Sequence, residues 1–346
     1  MHSHAFVRAL AVSLLLCLVT SARSETILYD SNGFEAPTFT AGSSPFGQDD
    51  SNPWQAFGGS PTAYSVESSK VASGAQAIEG DGGGLNDGSY VWPNLGYTPG
   101  PNERVRIQVD MARTLSPNVD DSSPVYAIDI ADQNIDRTSR FGLQQSGGEI
   151  RTFISVPINA SGNIDPNGPG IRSEFYGPAI AQDTFVHFDF TLDYTSKTVN
   201  LSVDGTPLAA GVPFRTQTSA FLDSAAFQIG TFPESSDHGY FDNYVVSVVP
   251  YLAGDANTDG IVNSQDLAAV SSNWLATGVL PAGDVNEDGI VNSQDLALIS
   301  SNWLQALNGS GAGNATAVPE PGTFALLLLA TACALTPAGK RRFWNH

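Results

Sequence analysis

Two stretches of the chain repeat one set of oxygen-bearing side chains at one spacing. The first reads Asp255-x-Asn257-x-Asp259-Gly260-Ile261-x-Asn263-x-x-Asp266, and the second Asp284-x-Asn286-x-Asp288-Gly289-Ile290-x-Asn292-x-x-Asp295. Carboxylate and amide oxygens at positions 1, 3, 5, 9 and 12 of a twelve-residue loop, with glycine at 6 for the sharp turn, make a cage for a hard divalent cation. The donors include no sulfur and no imidazole, and magnesium prefers a smaller shell and keeps its waters, so the expected ion is Ca2+. Position 7, Ile261 or Ile290, would add its backbone carbonyl and bury its side chain between paired loops. Two ions are expected on these twelve residues.

The elements that must hold these loops are legible beside them. Residues 254–275 align with 283–304 at an offset of 29, with 18 of 22 positions identical. After each loop an apolar face recurs at i, i+3 and i+7, as Leu267, Val270 and Trp274 and as Leu296, Ile299 and Trp303, which predicts one amphipathic helix per unit. Each unit is too small to fold by its own burial, so ion binding should supply much of the folding free energy. A calcium loop with a single exiting helix, duplicated, resembles the type I dockerin. That resemblance implies docking to a cohesin-like partner through Ser/Thr at loop positions 10 and 11 and basic residues on the helix. Here those positions hold Ser264-Gln265 and Ser293-Gln294, the helix carries Ser271-Ser272 and Ser300-Ser301, and 254–304 contains no Lys or Arg. The standard docking mode is therefore in doubt, although near-identical units permit binding in two orientations.

Both ends read as addresses. Arg8 followed by the apolar run 9–19 and by Ala22-Arg23-Ser24 predicts a signal peptide over 1–24, cleaved before Glu25. Leu14, Leu15 and Leu16 precede Cys17 where a lipoprotein signal needs small residues. At the other end Val318-Pro319-Glu320-Pro321 is followed by an apolar stretch over 324–335 and by Lys340-Arg341-Arg342. That order of parts resembles the PEP-CTERM sorting signal. The resemblance implies transient membrane insertion of a short transmembrane segment and processing near Pro319, Glu320 and Pro321 by an exosortase-type enzyme, with a final address at the cell surface or outside the cell. Both cysteines, Cys17 and Cys333, lie in these end segments, so no disulfide or thiol site is expected in the mature chain. Residues 306–317, rich in Gly, Asn and Ala, read as a flexible linker.

The formal charge of −20 and the lack of any basic stripe exclude nucleic acid as a partner. With 34 Gly and 21 Pro and only 14% charged residues, residues 25–250 read as turn-rich β structure. Segments 104–110, 125–130, 185–192, 198–203 and 239–248 alternate apolar and polar residues, as half-buried antiparallel strands do. Asp204-Gly205 marks a tight turn. About ten such strands imply a two-sheet sandwich. The run His187…Asp193-Tyr194…Val199-Asn-Leu-Ser-Val-Asp204-Gly205 resembles the late hairpin of laminin-G-like, concanavalin-type jelly rolls. Gly33-Phe34-Glu35 and Phe241-Asp242-Asn243 resemble the first and last strands of jelly-roll carbohydrate-binding modules. The expected fold is thus a mainly β jelly-roll sandwich over 25–250, followed by a small helical calcium module over 251–305 and the sorting tail over 318–346.

Chemistry inside the sandwich is less evident. Glucanases of the concanavalin type carry acid and nucleophile about 5 Å apart on a Glu-x-Asp-x-x-Glu strand. Here Glu67, Glu79, Glu103, Glu149 and Glu174 are single, Asp129 and Asp132 lack a third partner, and His187 reads as a polar-face residue. No catalytic residue is assigned, and a non-catalytic protein is expected. Trp54 and Trp92, with Tyr90, Tyr97 and Tyr176, fit either stacking on a polysaccharide or plugging the ends of the sandwich. Glu35 and Asp242 would meet if the first and last strands pair, to hold a third calcium or simply as a surface carboxylate pair. The alternatives are a secreted polysaccharide hydrolase of the laminarinase-like type and a purely structural matrix protein.

Overall fold

The computed structural model describes residues 25–58, 63–81, 89–115, 125–134, 136–158, 171–230 and 237–307. The signal peptide expected over 1–24 and the sorting tail expected over 318–346 lie outside the described residues, as does most of the expected linker. Among the described residues, no helix is long and apolar enough to cross a membrane.

In chain order the strands are β1 (Thr26–Asp30), β2 (Gln55–Gly58), β3 (Tyr64–Glu67), β4 (Ala77–Asp81), β5 (Ser89–Trp92), β6 (Glu103–Thr114), β7 (Tyr126–Ala131) and β8 (Arg137–Ser146). They continue with β9 (Glu149–Ile158), β10 (Ile171–Ile180), β11 (Val186–Asp193), β12 (Thr198–Val203), β13 (Thr206–Pro213), β14 (Ser224–Ile229) and β15 (His238–Pro250). Two helices follow, α1 (Ser264–Ser272) and α2 (Ser293–Ser301). The first sheet has the order β13-β12-β11-β6-β15-β4-β3, with β1 also paired to β15; the second has the order β10-β9-β8-β7-β14-β5-β2. Every strand pair is antiparallel. The expected sandwich is present, with more strands than the ten anticipated. The additional ones, such as β2, β3 and β5, are four residues long and too short to show alternation.

The two sheets close on an aromatic core. Phe141 stacks on Phe190 with ring centres 4.5 Å apart, and Phe227 stacks on Phe241 at 4.4 Å. Alternation explains which residues meet there: on β11, Val186, Phe188, Phe190 and Leu192 turn inward while His187 and Asp189 turn out. The β12–β13 hairpin turns through Asp204 and Gly205, both with positive φ, as the Asp-Gly pair predicts. One ion pair, Arg113 with Asp237, lies fully buried inside the sandwich, and the Tyr126 hydroxyl donates to the Asp237 carbonyl at 2.6 Å.

The repeat pair forms its own small core of Leu252, Val262, Val270, Val291, Ile299 and Leu307. This corrects one expectation. The loops do not pair with each other, and it is position 8, Val262 and Val291, that is fully buried, while Ile290 at position 7 stays exposed. Each loop instead pairs with the segment that follows a helix. Leu304 N–H donates to the Val262 carbonyl at 2.9 Å, and Leu275 N–H to the Val291 carbonyl at 2.8 Å. In such a short β-like contact neighbouring side chains face opposite ways, so burying position 8 turns position 7 outward. Of the predicted helical face, Val270 and Ile299 are buried, whereas Trp274 and Trp303 lie past the helix ends and are half-exposed.

Candidate functional site

The outer face of the second sheet collects polar and aromatic groups from segments far apart in sequence. Register sets Phe57 beside Tyr90, Tyr90 beside Gln228 and Gln228 beside Ala127 in one cross-strand row. The adjacent row sets Ala226 beside Asp129 and Asp129 beside Arg140. Between them opens a groove of about 770 Å³, with Phe57, Tyr90 and Trp92 on one wall. Asp129, Arg137, Arg215 and Asp223 line the rest. Small side chains, Ala56, Ala131 and Ala226, leave room for an occupant.

Its polar groups are held from the side. Arg137 clamps both Asp129 carboxylate oxygens and reaches the Tyr90 hydroxyl at 3.4 Å. Gln228 donates to the same hydroxyl at 3.0 Å. Arg140, next along β8, donates to Glu174 at 2.8 Å, and Tyr176 donates to the other oxygen of Glu174 at 2.7 Å. Burial raises the pKa of the Asp129 carboxyl above the usual aspartate range, outweighing the Arg137 guanidinium that opposes it. Burial, with Asp132 nearby, also raises Asp223. Arg215 is lowered by its burial and by Arg137 beside it, and it has no hydrogen-bonding side-chain partner among the described residues. The arrangement combines ring faces for stacking, hydrogen-bonding groups and two carboxyls that take a proton more readily than ordinary ones.

Of the two predicted ligand tryptophans, only Trp92 reaches this groove. Trp54 is a correction: it is 1% exposed, packed against Phe227 and Tyr244 in the core, with its indole N–H donating to the Tyr29 hydroxyl at 2.7 Å. A turn-rich sequence context does not reveal that its ring faces inward. Tyr90 and Tyr176 lie on the outer face, while Tyr97 spends its hydroxyl on Glu103 at 2.7 Å. His187 stands on the polar face of the first sheet, as expected, 2.6 Å from Asp110 across the strand pair.

β1 and β15 do pair. Asp242 is fully buried and not a surface group; one oxygen accepts from Ala72 and Ser73 N–H, the other from Asn243 N–H. Glu35 accepts from Ala75 and Gln76 N–H. Both carboxylates thus fasten the segment 72–76, the Asp242 carboxylate doing so from β15 in the first sheet.

The two twelve-residue loops, 255–266 and 284–295, are closed by their own backbones. Asp255 accepts from Asp259 and Gly260 N–H at 3.1 and 2.8 Å, and Asp284 does the same with Asp288 and Gly289. Asp266, fully buried, accepts from Ala256, Asn257 and Asn263 N–H, and Asp295 repeats this with Val285, Asn286 and Asn292. The positive φ of Gly260 and Gly289, 84° and 86°, makes the turn that a side chain at position 6 would strain. Burial raises the Asp255 carboxyl, and Asp266 and Asp259 raise it further. Three carboxylates repel one another in each loop with no Lys or Arg in 254–304, a donor set that a hard cation fits. Among the described residues no three His, Cys, Asp or Glu side chains converge as a metal cluster, so Asn257, Asn263 and the position-7 carbonyl would have to complete the shell.

No family model and no curated protein matches this chain. Solved structures similar to it include the catalytic domain of a glycoside hydrolase family 131 protein from Coprinopsis cinerea, 14% identical, with a TM-score of 0.43 over 64% of this chain and 94% of that one. An endo-1,3-β-glucanase from Streptomyces sioyaensis is 11% identical, with a TM-score of 0.41 over 61% and 94% of the two chains. The alginate lyase AlyC3 is 12% identical, with a TM-score of 0.38 over 50% and 75%. Against the expectation of a non-catalytic protein, solved structures similar to this chain bear the names of hydrolases and lyases.

Proposed function

We propose that this chain is an exported carbohydrate-active protein whose sandwich holds a polysaccharide in the groove beside β5, β7 and β14 and cleaves it there. One observation carries the reading: Tyr90 and Trp92 share a groove with two carboxyls, Asp129 and Asp223, whose proton affinity is raised. In hydrolysis one carboxyl would protonate the departing glycosidic oxygen while the other takes a proton from the water that attacks the sugar carbon. Ala226 pairs with Asp129, so Asp223 stands three residues from the position opposite Asp129 and their backbones are about 11 Å apart by strand spacing. An inverting hydrolysis, which needs room for a water between the two carboxyls, would hold them about 6.5–9.5 Å apart. The carbohydrate-related names of the similar structures support the same class of substrate.

The repeat pair is, in this reading, a dockerin-like module that binds two Ca2+ ions and engages a partner outside the chain. The predicted sorting tail would direct it to the cell surface. Turnover assays on laminarin, xylan, cellulose and alginate test the proposal. Reducing ends released by the wild type and lost at least a hundredfold in both Asp129→Asn and Asp223→Asn would support it. Turnover unchanged by both substitutions would sink the assignment of the groove.

A further inference from the structure

The two repeat units, 254–275 and 283–304, differ at four of 22 aligned positions, and only one difference introduces a charge: loop position 4 is Thr258 in the first copy and Glu287 in the second. The backbone is the same in both, with φ of 59° and 63°. The surroundings are not. Thr258 is exposed and bonds only to its neighbour's carbonyl, at 2.8 Å. Glu287 reaches the sandwich, where Arg104 Nη1 on β6 donates to its Oε1 at 2.6 Å.

The sandwich side of this contact is a constructed receptor. Arg104 also donates through Nε and Nη2 to Asp193 on β11, at 3.2 and 3.1 Å, which fixes the guanidinium plane. The Tyr251 ring lies 3.4 Å from its central carbon, and Tyr251 is itself fastened by a backbone bond to Asn102. Arg104, Asp193 and Glu287 expose only 12%, 7% and 11% of their side chains, so the network is largely shielded from water. At Gly211 on β13 (φ +60°), a Cβ would overlap the Glu287 carbonyl, so the sandwich backbone leaves space for this loop. Shielded, charge-assisted bonds from one oriented guanidinium are stronger than those of an exposed ion pair.

Glu287 stands between Asn286 and Asp288, two of the loop's proposed ligands. We propose that the sandwich carries an internal docking site, formed by Arg104, Asp193, Gly211 and Tyr251, for the closed second loop. The inference rests on the calcium reading of the loops: closing 284–295 around its ion sets Glu287 in the position that Arg104 accepts. The duplicated units are then not equivalent. The second is committed to the sandwich, the first is left for an outside partner, and a two-way docking mode is replaced by a one-way mode.

Hydrogen exchange on the purified full chain, with and without calcium, tests this, alongside calorimetric counting of bound ions. The wild type should bind two ions, and calcium should slow exchange in 102–105 and 208–212 about tenfold. Glu287→Thr, which copies the residue of the first loop, should still bind two ions while losing that sandwich protection; Thr258→Glu should leave it intact. Two bound ions with equal protection in wild type and Glu287→Thr would overturn the docking site. A wild type that binds no calcium would overturn the calcium reading beneath it.

Discussion

Replacing Trp54 by alanine separates a core role from a ligand role. The indole meets Tyr29, Phe34, Phe39, Phe227 and Tyr244 with ring centres between 5.1 and 6.3 Å, all edge to face. Emptying such a site costs about 3–5 kcal/mol, because the surrounding rings relax only partly into the cavity. The Tyr29 hydroxyl also loses its donor, which adds about 1 kcal/mol or more. For a domain of this size each kcal/mol moves the melting temperature by roughly 2–4 °C, so Trp54→Ala should melt about 10–15 °C lower. Trp92→Ala, at the groove wall, should change stability by less than about 1 kcal/mol. Melting followed by near-ultraviolet circular dichroism reads both. A Trp54→Ala protein that melts within about 2 °C of wild type would refute the reasoning.

Other consequences can be measured on the same material. Arg113→Ala should destabilise the sandwich by about 3–5 kcal/mol in denaturant titrations, because it strands the buried Asp237 carboxylate; a loss below about 1 kcal/mol would contradict that. His238 lies 3.1 Å from Glu79, whose hydrogen bond raises the histidine pKa while His238 lowers that of Glu79. Their mutual stabilisation is therefore complete between about pH 4.5 and 6.5. It fades as pH rises through the raised histidine value or falls through the lowered glutamate value. Against His238→Gln, the wild-type advantage, less than about 1 kcal/mol, should be present at pH 6 and gone by pH 9; an advantage that grows toward pH 9 would reverse the assignment. In the repeat pair, Val291→Ala should cost roughly 2 kcal/mol and Ile290→Ala under 1 kcal/mol, read from far-ultraviolet melts in calcium; equal losses would argue for paired loops.

The long strands were readable because alternation over six or more residues leaves little choice of face, as on β6 and β11. The turns of the loops were readable because they are local, with Asp255, Gly260 and Asp266 inside twelve residues. Two things were not readable for one shared reason. Position 7 was expected inside, but its neighbour Val262 is buried because Leu304, over forty residues on, pairs with it. The groove was missed because Asp129 gains significance only from Arg137, Tyr90, Trp92 and Asp223, which cross-strand register assembles from three other segments. Trp54 and Trp92 sit in similar Pro-flanked sequence beside one pair of strands, and only the face of the second sheet that each occupies separates a core residue from a groove residue.

The central claim is that the groove of the second sheet takes a sugar chain. Titration calorimetry of wild type, Trp92→Ala and Tyr90→Ala against soluble polysaccharide fragments tests it most directly. Stacking on an aromatic face contributes on the order of 1 kcal/mol or more, so each variant should weaken binding by roughly fivefold or more while keeping the wild-type melting temperature. Binding of equal strength in all three proteins would contradict the account.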